Sequence, residues 1–406
     1  FHVTGVQTCA LPISNTLLNI KGVTCAAINA GIKNNDALDL SVILLAPNSE
    51  TAGVFTQNVF CAAPVLVAKN HLENAPLALL INSGNANAGT GSQGLENTLK
   101  TCNILAAELN IKSEQVLPFS TGVIGQQLEV SKFETGIPSV VSQLSADAIG
   151  QVAKGILTTD LVEKTISKQF DINGETVTIT GIAKGSGMIR PNMATMLSFV
   201  FTDIKATQDQ LQSCLNTATN QSFNRITVDG DTSTNDACTL SATGMSGVDI
   251  SDCTSEFQQA LNTVTKTLAH KIIKDGEGAT KFVEVCVKGG SNTQDCLEVA
   301  YTVAHSPLVK TALFASDANW GRILAAVGRA NIANLNIEDI NIYLNKVSIV
   351  KSGEPDANYT EQAGSAEMVK ENIVITIEIG ISDAQESVWT TDFSYDYVKI
   401  NAEYRT

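Results

Sequence analysis

Short runs of apolar residues separated by polar turns predict a chain built from both strands and helices. Two runs near the start, at 39–45 and 77–81, have the length and character of buried strands. Apolar residues at helical spacing over 95–109 predict a helix. Later strands are predicted over 281–287, 341–350, 373–379 and 387–391. Because the strands cluster with helices at their edges, the pattern favours α+β layers over a regular alternation.

Turn and capping residues set the boundaries of several elements. The pair Asn173–Gly174 predicts a type I′ hairpin with strands at 166–172 and 175–182, because both turn residues accept positive φ. Thr207 and Gln210 form a capping box that should start a helix ending near residue 218. Further strands are predicted over 195–201 and 225–228. A helix capped by Ser255 is predicted to run to 274, where the following Gly276 terminates it, and another helix is predicted to start at Ser306–Pro307.

Composition narrows the class of protein. The 406 residues carry a net charge of −15, and 44% of them are hydrophobic. This length suits two or more lobes, and the apolar share is sufficient for a packed interior. The acidic balance argues against a nucleic-acid-binding protein, which usually carries a basic surface. No run approaches the ~18 consecutive apolar residues of a membrane helix, so a protein without membrane spans is expected.

Cysteine and histidine give little support to metal chemistry. The chain has 9 cysteines and no Cys-x-x-Cys pair, so neither a disulfide framework nor a zinc site is predicted, and free thiols in a reducing cytosol are expected. The 4 histidines lie far apart along the chain, which makes a histidine-based metal site or a Ser-His-Asp triad a weak hypothesis. Metals and nucleotides are therefore not expected as cofactors.

The first 14 residues, FHVTGVQTCALPIS, lack the basic and apolar regions of a signal peptide. They resemble a translated sequencing adapter, and we expect residues 1–14 to be foreign to the fold.

Two motifs suggest ligands without matching their templates fully. Gly89-x-Gly91-x-x-Gly94 fits the dinucleotide fingerprint, but a long Asn-rich loop separates it from the predicted strand, so a glycine loop entering a helix is favoured. The acidic segment 229–236 resembles a calcium loop, yet its sixth position is Thr234 and its twelfth position is Leu240. A polar turn that could line a cleft is the favoured interpretation.

The most informative segment is 184–197, KGSGMIRPNMATML, whose glycines and proline predict an irregular loop directly before a strand. Position alone would make Thr195 a structural strand residue. The segment resembles the signature of the ornithine acetyltransferase family, the self-cleaving glutamate N-acetyltransferases of arginine biosynthesis. The resemblance continues, in family order, through NSGNANAGTG (82–91), STGVIG (120–125), SFNRITVDGDTSTND (222–236), GEGATKFVEV (276–285), SPLVKTALF (306–314), NWGRI (319–323) and NAEYRT (401–406).

This resemblance spans nearly everything after Gly22 and departs from the family pattern at three positions. Gly89 stands where Cys is expected, His305 where Arg is expected and Ala318 where Pro is expected. None of these three is an expected catalytic position.

The resemblance implies a layered ornithine acetyltransferase/DmpA-like α/β fold with an N-terminal-nucleophile threonine. The precursor would cut itself between Ala194 and Thr195, leaving an alpha chain over 15–194 and a beta chain over 195–406 that form one intertwined catalytic unit. An α-amine ordinarily has a pKa of about 7.7–8.0, so the new amine of Thr195 can serve as the base that an internal threonine lacks.

The same resemblance implies ping-pong transfer of an acetyl group from N2-acetyl-L-ornithine to L-glutamate through an acyl-Thr195 intermediate. Thr121 and Gly122 would stabilise the oxyanion. Lys184 is the natural partner of the substrate carboxylate and Glu277 that of its ammonium group, by charge. Thr158 is preferred over Thr159 on its spacing to Lys184. The full implied substrate-binding set is Thr158, Lys184, Thr195, Glu277, Asn401 and Thr406.

Family resemblance also implies a cytoplasmic enzyme, an α2β2 assembly of the two processed chains, and no nucleic-acid or membrane partner. Acetyl-CoA is a second acyl donor in some members.

Two alternatives to this function remain open at this point. One is an N-terminal-nucleophile amidase or aminopeptidase of the related fold, in which water accepts the acyl group, and the other is a dinucleotide-binding module that uses Gly89 to Gly94.

Overall fold

The computed structural model describes residues 17–190, 196–333 and 335–403, and these form two compact units. Among the described residues the first unit comprises 17–185, 196–224 and 232–269, and the second comprises 186–190, 225–231 and 270–403. The expectation for residues 1–14 falls outside the described residues. In the described ranges, no helix combines the length and apolar character that a membrane span requires.

The strands are β1 Val23–Ile28, β2 Leu40–Leu45, β3 Glu50–Phe55, β4 Ala78–Asn85, β5 Val116–Val123, β6 Lys164–Ile172, β7 Glu175–Lys184, β8 Leu197–Thr202, β9 Ala237–Ala242, β10 Phe282–Gly290, β11 Asn341–Leu344, β12 Val347–Lys351, β13 Glu354–Pro355, β14 Asn372–Glu378 and β15 Ala384–Thr390. The helices are α1 Ala63–His71, α2 Gly91–Leu109, α3 Val130–Val141, α4 Ile149–Gly155, α5 Gln208–Asn220, α6 Thr254–Lys274, α7 Thr293–Ala304, α8 Pro307–Phe314, α9 Trp320–Gly328, α10 Glu361–Met368 and α11 Tyr395–Ala402.

Two sheets pack face to face in the first unit. One sheet has the order β1-β2-β4-β5 and the other the order β3-β9-β8-β7-β6. Their inner faces share one apolar core, in which the rings of Phe119 and Phe199 meet edge to face at 5.0 Å. Burial of both faces explains why β8, with the sequence LSFVFT, is buried at every position.

Helices cover the outer faces of both sheets of the first unit. Side chains of α2 and α3, including Leu105 and Phe133, join the outer apolar side of the first sheet. On the second sheet, a Cβ added at Gly181 would lie 2.9 Å from both Val264 and Leu268 of α6, so glycine is needed for this close approach. The result is a layered arrangement of helices, sheet, sheet and helices, and the predicted α+β layers are confirmed.

The second unit contains one six-stranded sheet of order β13-β12-β11-β14-β10-β15. The pair β10–β14 is parallel and the other pairs are antiparallel. Helices α7 and α9 pack with the sheet around a core that includes Val285, Val299 and Ile375.

Most elements predicted from local signals are confirmed. The turn between β6 and β7 has positive φ at both Asn173 (53°) and Gly174 (88°), as a type I′ turn requires. The capping box of α5 forms between Thr207 and Gln210. Ser306 caps α8, and Pro307 occupies its first turn.

Other predictions were wrong in detail. Instead of a strand at 225–228, the chain forms a 3₁₀ turn at Phe223–Arg225 and a single bridge from Ile226 to β15. The run 341–350 is divided into β11 and β12 by a turn with Asn345 at φ 51°. Ser255 lies inside the first turn of α6 and does not precede it, because the helix begins at Thr254. The strand predicted from 195 begins at Leu197 within the described residues.

Candidate active site

The predicted oxyanion residues lie at the carboxyl end of β5. Gly122 has φ +133°, a conformation that residues with a Cβ rarely adopt, and it pairs with Gly84 of the parallel strand β4. A Cβ at position 122 would overlap the carbonyl group of Gly84 and lie 2.6 Å from the Asn85 nitrogen. Both the dihedral angle and the close approach therefore require glycine beside Thr121.

The Gly122→Ala variant should lose most acetyl-transfer activity. The added methyl group must push β5 away from β4 and displace the backbone that carries Thr121. Since loss of one oxyanion donor typically costs about 10²–10³ in rate, a fall in kcat of at least about 10²-fold is expected. Steady-state kinetics beside the Gly174→Ala control, which changes an open hairpin turn also at positive φ, provides the test. Equal activity of the two variants would contradict the role of Gly122.

Lys184, the last residue of β7, reaches Thr121. Its Nζ lies 3.4 Å from Thr121 Oγ1, and both residues are buried. The sequence identified both residues only through family resemblance, and the structure brings them together within the first unit. An ammonium group and a hydroxyl group next to Gly122 form a site that can bind an anion or stabilise a developing negative charge.

Asp160 is the acidic centre of this buried cluster. Lys164 Nζ lies 2.5 Å from its Oδ1, and Lys184 Nζ lies 3.9 Å from its Oδ2. The Gly185 N–H also donates to Oδ1, at 2.7 Å. Burial alone would raise the pKa of Asp160, but the two ammonium groups and the hydrogen bonds hold it well below its usual range. Asp160 is thus an anion that holds the Lys184 ammonium group beside Thr121.

Thr158 belongs to the same cluster through its backbone. The Thr158 N–H donates to Asp160 Oδ2 at 3.1 Å, and its hydroxyl lies 3.5 Å from the same oxygen. The predicted binding residue is therefore linked to Lys184 through one shared carboxylate. Thr159 also makes an interaction, so this link is not by itself a choice between the two threonines.

A third lysine, Lys33, lies close to this cluster. A Cβ added at Gly84 would lie 2.9 Å from Lys33 Cγ, and Lys33 Nζ donates to the Leu38 carbonyl at 2.8 Å. Burial lowers the pKa of Lys33; Asp39 opposes this shift and Lys184 adds to it. The sequence analysis missed this residue because nothing near position 33 in the chain indicates contact with β4.

The second unit places Glu277 and Asn401 together. Asn401 Nδ2 donates to Glu277 Oε2 at 2.9 Å, and the Glu277 N–H donates to the Ser186 carbonyl at 2.9 Å. A Cβ added at Gly187 would overlap the Glu277 carboxylate, so glycine lets this side chain lie directly against the backbone. The predicted partner of a substrate ammonium group is thus a buried carboxylate with an amide beside it.

The segment that precedes the predicted cleavage bond is held by Asp229. Its carboxylate accepts the Met188 N–H at 2.6 Å and the Ile189 N–H at 2.9 Å. Met188 has φ 55°, an uncommon conformation for a residue with a side chain. The hydrogen bonds to Asp229 explain how this backbone conformation is maintained.

The unusual residue His305 contacts this segment indirectly. His305 Nε2 lies 3.0 Å from Thr227 Oγ1, and the Thr227 hydroxyl donates to the Ile189 carbonyl at 2.9 Å. Burial, assisted by nearby cations, lowers the pKa of His305 to about 4, so the ring is neutral at pH 7. His305, which stands where Arg is expected, thus makes a polar contact with Thr227.

Ala194, Thr195 and Thr406 lie outside the described residues, and so does the predicted cleavage bond. The nearest described residue after that bond is Met196. Its N–H donates to Asp236 Oδ1 at 2.8 Å, and its carbonyl accepts the Ala237 N–H.

The glycine-rich motif 89–94 is packed with its own side chains. Strand β4 continues to Asn85, so the loop before α2 is shorter than the sequence indicated. Thr90 Oγ1 donates to Asn87 Oδ1 at 2.8 Å, and a Cβ at Gly94 would overlap the Thr90 side chain. The third glycine of the motif thus makes room for Thr90. This packing explains the motif without a ligand.

The segment 229–236 does not have the arrangement of a calcium loop. Asp229 binds backbone N–H groups at 188 and 189, and Asp236 binds the N–H of Met196. Over the part of the chain that the structure describes, no group of three or more His, Cys, Asp or Glu side chains is arranged to hold a metal ion.

Comparison with protein-family models matches residues 24–406 to the ArgJ family. The chain belongs to the ArgJ family. Family membership confirms the resemblance seen in the sequence and makes the protein an acyltransferase of arginine biosynthesis.

Named relatives from two bacterial genera match almost the whole chain. The arginine biosynthesis bifunctional protein ArgJ of Pseudomonas fluorescens (strain Pf0-1) is 51% identical over 396 residues, covering 96% of this chain and 98% of the relative. The protein of the same name from Psychrobacter arcticus is 49% identical over 400 residues, covering 97% and 98%.

Two solved structures match parts of the chain. ArgJ of Bacillus halodurans is 40% identical with a TM-score of 0.49, covering 52% of this chain and 100% of that chain. The ornithine acetyltransferase of Mycobacterium tuberculosis, solved in complex with ornithine, is 34% identical with a TM-score of 0.42, covering 44% and 97%.

Besides Lys33, the sequence analysis did not identify Asp160, Asn235 and Asp236 as individual polar residues next to the predicted site residues. Asp160 has a weak signal, since it lies two positions after Thr158 and four before Lys164. Asn235 and Asp236 stand out in the sequence only as part of a polar turn. Their contacts join distant parts of the chain, so no local spacing could identify them.

Proposed function

We propose that this ArgJ-family protein moves the acetyl group of N2-acetyl-L-ornithine to L-glutamate by a ping-pong mechanism through an acyl-Thr195 intermediate. The observation that carries the proposal is the position of the Lys184 ammonium group, 3.4 Å from Thr121 Oγ1 and next to a glycine whose geometry admits no side chain. An acyl transfer needs donors such as Thr121 and Gly122 because its tetrahedral states carry a negative oxygen, and the adjacent ammonium group can bind the carboxylate of the substrate.

Self-cleavage would create the nucleophile. The Thr195 hydroxyl attacks the Ala194 carbonyl carbon, and an ester forms as the peptide C–N bond breaks and frees the Thr195 α-amine. Water then hydrolyses that ester, which releases the Ala194 carboxylate and restores the Thr195 hydroxyl. This amine then accepts the hydroxyl proton when Thr195 attacks the acetyl carbonyl. The acetyl C–N bond breaks, the ornithine amine leaves with that proton, and the amine of glutamate attacks the ester to regenerate the Thr195 hydroxyl.

The polar residues divide the remaining tasks by charge. Thr121 and Gly122 stabilise the oxyanion in both half-reactions, and Lys184 binds the substrate carboxylate. Glu277, together with Asn401, binds the side-chain ammonium group of ornithine. The buried Asp160 keeps Lys184 in place, as the 3.9 Å separation between Lys184 Nζ and Asp160 Oδ2 supports. Thr158 and Thr406 complete the proposed substrate-binding set.

The proposed chains 15–194 and 195–406 form one intertwined catalytic unit. In support, each described unit contains residues from both sides of the predicted cleavage bond. Two copies of each chain form an α2β2 assembly in the cytoplasm. The chemistry above uses only side chains, backbone N–H groups, the new α-amine, water and the two substrates.

Acetyl transfer should depend on both substrates. With N-acetylornithine and glutamate, purified protein is expected to form ornithine and N-acetylglutamate in equal amounts, with parallel double-reciprocal plots. Without glutamate, ornithine release should stop after about one equivalent per site, because the acyl-enzyme has no amino-acid acceptor. Mass spectrometry of the beta chain should show the added acetyl group.

Continued acetate release without glutamate would contradict the transferase proposal and support the amidase alternative. A parallel reaction with acetyl-CoA in place of N-acetylornithine tests for a second acetyl donor. N-Acetylglutamate formed in that reaction would show that both donors are used.

A further inference from the structure

Two adjacent residues directly before β9, Asn235 and Asp236, make hydrogen bonds to backbone groups that adjoin predicted catalytic residues. Asn235 Nδ2 donates to the Ser120 carbonyl at 2.9 Å, one residue before Thr121. Asp236 Oδ1 accepts the Met196 N–H at 2.8 Å, one residue after Thr195. Both side chains are buried, and all of these described groups lie in the first unit.

These hydrogen bonds act on peptide groups next to the reacting residues. A peptide unit is planar, so holding the Ser120 carbonyl also sets the direction of the Thr121 N–H. In the same way, holding the Met196 N–H sets the plane of the peptide unit that joins Met196 to Thr195. The dipeptide Asn235–Asp236 therefore orients two peptide groups, one beside the proposed oxyanion residue Thr121 and one beside the proposed nucleophile Thr195.

The orientation of the Asn235 amide is defined by its partners. Two backbone carbonyl oxygens, which can only accept, face one end of the amide and identify it as Nδ2, while the Thr234 hydroxyl donates to Oδ1 at 2.6 Å. The two N–H groups of the amide then meet two backbone carbonyls, those of Ser120 and Ala86, the latter at 2.6 Å. A buried amide with every polar atom bonded has a single low-energy orientation and acts as a rigid connection.

The backbone that carries the pair is also fixed. The Thr56 N–H donates to the Asp236 carbonyl at 3.0 Å, and the Ala62 N–H donates to the Thr234 carbonyl at 2.9 Å. The Asn235 N–H donates to Ser233 Oγ at 3.1 Å. Bonds from both side chains and backbone therefore leave the dipeptide little freedom to move relative to β5 and β8.

We propose that Asn235 and Asp236 are positioning residues that hold the oxyanion peptide at 120–121 and the nucleophile peptide at 195–196 in one fixed relation. The proposal rests on the proposed acyl-Thr195 mechanism and deepens it. The same relation serves self-cleavage and acetyl transfer, because both reactions bring Thr195 Oγ to a carbonyl carbon and generate an oxyanion. A displacement of about 1 Å in such a geometry can lower a rate about 10²-fold.

The first test is Asn235→Asp, which keeps the shape of the side chain and removes both N–H donors. We expect kcat for acetyl transfer to fall about 10²-fold, while KM for N-acetylornithine stays within about twofold. Precursor cleavage, followed over time on a denaturing gel, should slow by a similar factor. A rise in KM at unchanged kcat would overturn the proposal, because it would identify Asn235 as a substrate contact.

Asn97→Asp is the matched control. Asn97 lies on α2, is buried, and donates from Nδ2 to the Leu128 carbonyl at 3.2 Å, so the same chemical change removes the same type of bond. Helix α2 carries none of the predicted site residues. We expect this variant to be cleaved and to transfer acetyl groups at the parent rate, and a loss equal to that of Asn235→Asp would overturn the proposal.

Asp236 provides a second comparison that does not depend on the first variant folding. Asp236→Asn keeps an oxygen that can accept the Met196 N–H, whereas Asp236→Ala removes it. We expect Asp236→Asn to retain most of the cleavage rate and kcat that Asp236→Ala loses. Equal values for the two variants, with both folded by circular dichroism, would overturn the proposal. If Asp236→Ala is unfolded, full cleavage and parent kcat in Asn235→Asp would overturn it.

The parent protein separates this inference from the proposed function. A parent chain that neither cleaves itself nor transfers acetyl groups refutes the acyl-Thr195 mechanism. A parent chain that performs both reactions, with Asn235 and Asp236 variants that match it, refutes only the positioning role.

Discussion

Thr195→Ala should yield a single intact chain with no measurable acetyl transfer. Alanine has no hydroxyl group to attack the Ala194 carbonyl, so neither the ester nor the free α-amine forms. The variant lacks the nucleophile and its base together, and removal of a comparable nucleophile lowers kcat by about 10⁶-fold. A denaturing gel and an assay of N-acetylglutamate measure the two losses. The parent should show fragments of about 194 and 212 residues (406 − 194 = 212).

Thr207→Ala is the control for this result. It makes the same substitution at the cap of α5, where the hydroxyl accepts the Gln210 N–H. Loss of such a cap typically costs about 1 kcal/mol of stability, so cleavage and transfer should continue. Thr195→Ser retains a hydroxyl and should be cleaved. Active parent protein without a new chain that begins Thr-Met-Leu-Ser would contradict the mechanism.

Asp160→Asn should destabilise the protein strongly at pH 7. The substitution removes the negative charge that lies between the buried side chains of Lys164 and Lys184. Their two ammonium groups then lose the carboxylate that neutralises them. Loss of one partner of a buried ionic group typically costs about 3–5 kcal/mol. Urea unfolding of the parent and the variant measures this difference in the free energy of unfolding. Glu129→Gln, which affects an exposed pair with Lys132, should leave that free energy unchanged.

The stabilisation that the Asp160 carboxylate provides should decrease as the pH is lowered. Its folded-state pKa is below the unfolded value of about 3.9, so the native protein holds the ionised form more strongly. The stabilisation is fully present above that unfolded value and declines as the pH falls through the folded-state pKa. The difference between parent and Asp160→Asn should therefore be constant near neutrality and shrink below about pH 4. A difference that grows on acidification would contradict this assignment.

Elements with strong local signals were predicted with nearly correct bounds. The Asn173–Gly174 turn and the capping box at Thr207 depend on residues within a few positions of each other, so the sequence contains the information. Strands β1, β3, β5 and β9 were missed. Their sequences include small and polar residues such as TAGV and STGV, and they are strands because neighbouring strands pair with them.

The candidate site also contains some residues that the sequence identified and others that only the structure identified. Family resemblance in the sequence was sufficient to choose Thr195 as the nucleophile and to nominate Thr121, Lys184 and Glu277, because those residues sit in long motifs. The resemblance says nothing about how each side chain is supported. The burial of Asp160 between two lysines follows from the loop after α4 meeting the end of β7, a contact that no spacing rule predicts.

The hydrophobic pattern of the sequence predicted the α+β layers, and the resemblance of its long motifs to a known family predicted that family and the kind of chemistry. Turns, caps and motifs consist of consecutive or nearby residues, so the sequence alone reveals them. The requirement for glycine at position 122 and the proposed roles of Asp160, Asn235 and Asp236 emerged from the folded chain alone. Each depends on two backbone segments far apart in sequence lying within hydrogen-bond or van der Waals distance. Such proximity results from packing of the whole first unit, and no single stretch of the chain specifies it.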